Sequence, residues 1–277
     1  MSATFLEEMA LASLGRVRAA RQLVSEAVLA ERAGRCPPPP LLRLAGGGFD
    51  VIAELKLRSP AAGQLGTPTA SVTERVTAYA RAGAAAVSVL TEPNRFDGSL
   101  EHLFEAQAAL TPLGVPVMRK DFLVDPYQVL EARVAGAGGV LVILRLLSRA
   151  ATGALIDCAR SCGLFVLLEA FDATDLEVMH ELVGAHAGGN TLLAGVNCRD
   201  LATLEVVPQR LAELAPLLPA GVPHVAESGV VTDADARRVA AAGYGLALVG
   251  SALMRASDPT RLLSSLLAAG RAARGVR

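Results

Sequence analysis

The sequence predicts a (β/α)8 barrel with an additional helical segment at its N-terminus. Three observations lead there. Eight short apolar runs recur roughly every 25 to 35 residues from Val51 onward, the length of one strand–helix unit. The runs are apolar almost throughout, as parallel strands covered on both faces must be. The segments between them carry helix start and stop signals, with Ser71 and Glu74 as a capping box, Gly83 as a stop, and the same grammar from Thr232 to Gly243. An open doubly wound sheet would usually have fewer strands and a glycine-rich turn after the first. The turn here, LRSPAAGQLG, lacks that pattern.

Taken in order, Phe5 to Arg32 reads as one amphipathic helix, with Phe5, Met9, Leu11, Leu14, Val17 and Ala20 near helical spacing. Its arginines Arg16, Arg18 and Arg21 read as a solvated face. The prolines Pro37 to Pro40 then form a stiff extended spacer. The expected strands are VIAELK, AVSVL, PVMRKD, VLVIL, FVLLE, LLAGVN, PHVAES and LALVG. No composition shift divides them, so residues 1–277 are expected to form one domain, with 1–46 as extension and spacer and 47–277 as barrel.

Hydrophobic residues make up 52% of the chain and charged residues 19%, ample for a core of that size. A formal net charge of -1 argues against a nucleic-acid partner, so an anionic substrate must be caught by local groups. Cys36, Cys158, Cys162 and Cys198 form no C-x-x-C pair and the histidines are scattered, so no metal site is expected. Cys158 and Cys162 read as small buried residues on one helix. The N-terminus lacks the apolar run of a signal peptide, and no stretch is long enough to span a membrane. A reduced, cytoplasmic protein that acts as a monomer or weak homo-oligomer is expected.

In such barrels the chemistry sits at the carboxyl ends of the strands. There the expected strands carry Glu54 and Lys56, Lys120, Glu169, Asn197 and Arg199, Glu227 and Ser228, and finally Gly250 and Ser251. Glu54 and Lys56 lie two apart and so share a face. Charges within a barrel mouth are costly unless paired or used, and lysines converging with glutamates shift one another's pKa values as acid–base work requires. The Gly–Ser steps after the last two strands suggest a phosphate cradle, to which Ser59 adds a hydroxyl.

These residues, in the strings AELKLRSP, SVLTEPNRFDGS, RKDFLVDPYQVLEARVAGAGGVLVI, LLEAF, GVNCRDLAT, AESGVVT and LVGSALMR, resemble indole-3-glycerol phosphate synthases from about Phe5 to the C-terminus. The resemblance implies Lys120 as general acid, Glu169 as general base and Glu54 with Lys56 as an assisting polar pair. It implies Asn197, Arg199, Glu227 and Ser228 as groups that position the substrate, and Ser59, Gly229, Gly250 and Ser251 around its phosphate. Phe96, Phe122 and Leu144 are implied as apolar walls for an aromatic ring. No cofactor is implied, and the partner is a small phosphosugar–anthranilate substrate. The chain departs from the family pattern at Ala61 and Ala62, where a Ser and a Lys are usual. It departs again at Arg145, which either crowds the mouth or turns outward.

Overall fold

In the computed structural model, residues 4–45, 48–60, 63–65, 71–188, 192–201 and 203–275 are described. Ala61 and Ala62 lie outside them. Eight parallel strands close into a barrel. They are β1 (Asp50–Leu55), β2 (Ala86–Leu90), β3 (Val117–Lys120), β4 (Gly139–Ile143), β5 (Phe165–Ala170), β6 (Leu192–Asn197), β7 (His224–Glu227) and β8 (Leu246–Val249). Each pairs with its chain neighbours, and β8 closes on β1 with Asp50 opposite Leu246. Each expected apolar run is one of these strands.

The helices are α1 (Phe5–Leu23), α2 (Glu26–Arg35), α3 (Val72–Arg81), α4 (Pro93–Phe96), α5 (Leu100–Leu110), α6 (Pro126–Val134) and α7 (Arg149–Ser161), followed by α8 (Ala173–Ala185), α9 (Gln209–Leu214), α10 (Asp233–Ala241), α11 (Ser251–Arg255) and α12 (Pro259–Arg274). The capping boxes at Ser71/Glu74 and Thr232/Asp235 form as expected. Gly83 and Gly243 end their helices at φ +97° and +110°, where a side chain would be strained.

Two apolar layers result. Inward-facing residues such as Ile52, Met118, Leu141, Leu167, Val225 and Leu246 fill the barrel. Outward-facing ones such as Val51, Val87, Val140, Val166 and Ala226 pack under the helix ring. Strand residues point alternately to the two faces, so both layers come from the same strands.

The N-terminal extension departs from the expected single helix. Val24 is extended (φ −136°, ψ 119°), and the Ser25 side chain accepts the Val28 N–H to start α2, so the helix breaks there. The buried stripe of α1 is Met9, Ser13 and Val17, while Leu11 faces solvent. Nor is the arginine face simply solvated. Arg16 bonds Asp121 at 2.7 Å, Arg21 bonds Asp125 and Glu26, and Arg18 alone of the three is exposed without an ion pair among the described residues. Cys158 and Cys162 are half-buried, not fully buried, against α1, α2 and α6.

Candidate active site

The carboxyl ends of the strands open into a cavity of about 620 Å³. Glu54, Lys56, Ser59, Phe96, Lys120, Phe122, Glu169, Asn197, Arg199, Glu227, Ser228, Gly229, Gly250 and Ser251 all line it. Leu144 does not. It packs in the outer layer, and Ile143 takes the wall position instead. The cause is strand phase. Ile143 pairs in register with Glu169, which faces the cavity, and one further residue turns the side chain to the opposite face.

At the floor of the cavity lies a cluster of buried charge. Lys56 Nζ meets Glu54 Oε1 at 2.7 Å. Asn197 donates its amide to Glu169 Oε1 and accepts the Arg199 N–H at 3.0 Å, which fixes which end of the amide faces the carboxylate. Arg199 also donates to the Leu204 carbonyl at 2.7 Å, holding the loop after β6 against the mouth. Two glycines make the space. A Cβ at Gly250 would strike the Glu54 carboxyl, and one at Gly195 would strike that of Glu227.

Three carboxylates share this low-dielectric space and do not all remain ionised easily. Burial pushes the Glu54 carboxyl up, but Lys56, helped by Lys120 and Arg199, outweighs it and holds the group below the ordinary carboxylate value. Burial alone would depress Lys120, yet Glu169, Glu54 and Glu227 together hold its ammonium above the ordinary lysine value. Glu227 goes the other way. Burial first, and the Glu169 charge second, push its carboxyl well up. Among the described residues, neither Glu227 oxygen nor Glu169 Oε2 has a protein hydrogen-bond partner. A buried carboxyl without donors is best kept neutral.

The two ends of the cavity differ. Gly229, Gly250, Ser251 and Ser59 follow β7, β8 and β1, which are neighbours in the barrel. Ser228 and Gly229 are both left-handed, at φ +67° and +73°, and Ser228 pays strain for it as a non-glycine residue. Facing the other side, Phe122 lies 5.9 Å from Phe5, edge to face, and 6.1 Å from Phe96. Phe5 and Leu6 come from α1, so the extension supplies part of the wall.

Several lining residues escape the sequence reading. Phe171 and Leu248 continue inward phases already marked by Glu169 and Gly250, counting by two. Leu90 and Ile143 have no such signal, because β2 carries no marked residue and Leu144 marks the wrong phase at β4. Leu201, Leu204, Val206 and Arg255 sit on loops or a short helix and carry no such signal. Arg145 turns outward. It bonds Asp172 and Asp175 at 2.6 Å and lies 4.6 Å over the Phe171 ring, while Asp175 also accepts the Phe171 N–H. Arg145 therefore braces a wall residue from behind.

Comparison with known proteins places the chain in a family. The family model for indole-3-glycerol phosphate synthase matches residues 16–266. A protein of that name from Parafrankia sp. (strain EAN1pec) is 43% identical over 89% of this chain and 88% of its own. One from Mycobacterium avium (strain 104) is 39% identical over 97% of this chain and 95% of its own. Among solved structures, thiamine phosphate pyrophosphorylase from Pyrococcus furiosus superposes with a TM-score of 0.58, covering 82% of this chain and 97% of its own. At 15% identity it shows the barrel alone. With the family model spanning nearly the whole barrel, the chain belongs to the indole-3-glycerol phosphate synthases, decarboxylating lyases of tryptophan biosynthesis.

Proposed function

We propose that the cavity carries out its family's ring closure on 1-(2-carboxyphenylamino)-1-deoxyribulose 5-phosphate with Lys120 as general acid and Glu169 as general base. The observation that carries the reading is the two-ended cavity. A buried ammonium surrounded by carboxyl groups lies between an aromatic wall and a Gly–Ser rim. The rim suits the phosphate, and the Phe5, Phe96 and Phe122 wall suits the anthranilate ring. Gripping both ends brings the aromatic carbon that bears the carboxylate against the ribulose carbonyl.

Attack forms the new carbon–carbon bond, and Lys120 protonates the carbonyl oxygen as its electrons arrive. Carbon dioxide departs and leaves its bonding pair in the ring, restoring aromaticity. A second proton lets the resulting hydroxyl leave as water, and Glu169 takes a proton from the carbon beside nitrogen to complete the indole. Two protons are donated and one is removed, so one is consumed, matching the conversion of a carboxylate to neutral carbon dioxide. Glu54 and Lys56 supply or relay the second proton. Neutral Glu227 and Asn197 hold the substrate hydroxyls, and Arg199 and Ser228 orient the anthranilate and ribulose ends.

The four free thiols suit a reducing cytoplasm, where the protein acts as a monomer or weak homo-oligomer. Among the described residues no helix is long and apolar enough to cross a membrane. Purified protein incubated with the substrate should release the indole product, followed by its absorbance. Glu169→Gln should impair that release while inorganic phosphate still inhibits with the parental constant. No product from the parent, or unchanged kinetics in Glu169→Gln, removes the assignment.

A further inference from the structure

The chain places one arginine between two carboxylates that each brace a different ring of the aromatic wall. Arg16, on α1, directs Nη2 to Asp121 Oδ1 at 2.7 Å and Nη1 toward Glu92 Oε1 at 3.6 Å. Asp121 lies between two cavity residues, Lys120 and Phe122, and its own side chain points away from the cavity, as strand alternation requires. Its carboxylate accepts four hydrogen bonds: from Arg16 and the Phe122 N–H (2.8 Å) on Oδ1, and from Thr91 Oγ1 (2.8 Å) and Arg119 Nη2 (3.1 Å) on Oδ2. The Phe122 carbonyl in turn accepts from Ser13 Oγ, one turn before Arg16 on α1, at 2.6 Å. Both backbone polar groups of Phe122 are thus tied, one through Arg16's partner and one directly to α1.

Glu92 does the same for the other ring, Phe96. It is fully buried and caps α4, accepting the Asn94 and Arg95 N–H groups at 2.9 and 2.7 Å, and Phe96 is the last residue of that helix. Arg16 itself does not line the cavity.

We propose that Arg16 is a positioning residue for the aromatic half of the substrate: it couples the seating of α1 to the placement of Phe96 and Phe122 through Glu92 and Asp121. The proposal rests on the reading of those rings as walls for the anthranilate. A guanidinium suits this post because its planar fork addresses two carboxylates at once, which a lysine ammonium does less well. The carboxylates are buried, so losing their shared cation costs more than a surface ion pair would.

The test is steady-state kinetics of Arg16→Met, with inorganic phosphate as a competitive probe of the other end of the cavity. KM for the anthranilate substrate should rise about fivefold or more, as for a lost charge-assisted hydrogen bond. The inhibition constant of phosphate should stay within about twofold, and Arg16→Lys should recover part of the loss. In a double-mutant cycle, Arg16→Met should cost less in a Phe122→Leu background, because both changes remove the same grip. A role in stability alone would lower the melting temperature and leave both constants in place. Parental KM in Arg16→Met, equal losses for substrate and phosphate, or additive effects with Phe122→Leu would each overturn the proposal. If Arg16→Met does not fold, Arg16→Lys carries the same comparison. Parental KM in Phe122→Leu would remove the ring-wall reading and this proposal with it. A raised KM in Phe122→Leu beside parental values in the Arg16 variants would remove this proposal alone.

Discussion

Two buried groups in this cavity are both held toward their protonated forms by the same neighbourhood, one carrying charge and the other not. Lys120 stays charged because three carboxyl groups face it, and Glu227 stays neutral because burial and Glu169 oppose its charge. Lys120→Ala should therefore lower turnover at least about a hundredfold, the lower range for a lost general acid, as measured by indole release under saturating substrate. Glu227 makes a prediction about pH. Its folded value lies above its unfolded one, so as pH rises past the ordinary carboxylate range the unfolded chain releases a proton that the folded chain retains, and stability falls. Glu227→Gln removes that penalty. The variant should melt higher than the parent at mildly alkaline pH, the gap should shrink as pH drops toward the ordinary carboxylate range, and turnover should fall at every pH. Equal melting temperatures across the range, by calorimetry, would show that Glu227 is not held neutral.

At the scale of elements, small residues decide which side chains meet. Gly195 in β6 lies in register between Glu169 of β5 and Val225 of β7, and its missing Cβ leaves the volume that the Glu227 carboxyl occupies. Gly195→Ala should displace Glu227 and also press on Leu167, so turnover should drop on the order of tenfold or more, with a stability loss of roughly 1–3 kcal/mol from overpacking. Parental kinetics in that variant would mean that the interior has slack which the close-packed strands do not suggest. The extension illustrates the same point from outside. A side-chain cap at Ser25 divides it into two helices, and this break lets α1 cross the mouth while α2 packs on α6. The capping signal stood in the sequence, but helical periodicity on both sides of it masked the break.

Across the whole molecule, the two ends of the barrel do different work. The floor is braced by Asp50, which accepts the Ala45 N–H at 2.7 Å and pairs with Arg271 of α12 at 3.1 Å, far in sequence and at the opposite end from the cavity. Asp50→Ala should cost about 2 kcal/mol and lower the melting temperature by roughly 4–8 °C, while kcat and KM stay parental below the transition. A change in KM would mean that the floor communicates with the mouth. The linear chain by itself determined the barrel, because eight apolar runs at even spacing admit few other closures. It also determined which polar residues end the strands, because a charge within such a run has no other economical place. Tertiary structure alone decided that Ile143 and not Leu144 forms the wall, that Arg145 braces Phe171 from outside, and that Arg16 joins two carboxylates distant in sequence. Strand phase at a terminus, the direction of a long side chain and the seating of a helix on a distant loop all depend on packing between segments far apart in the chain, which local spacing does not encode.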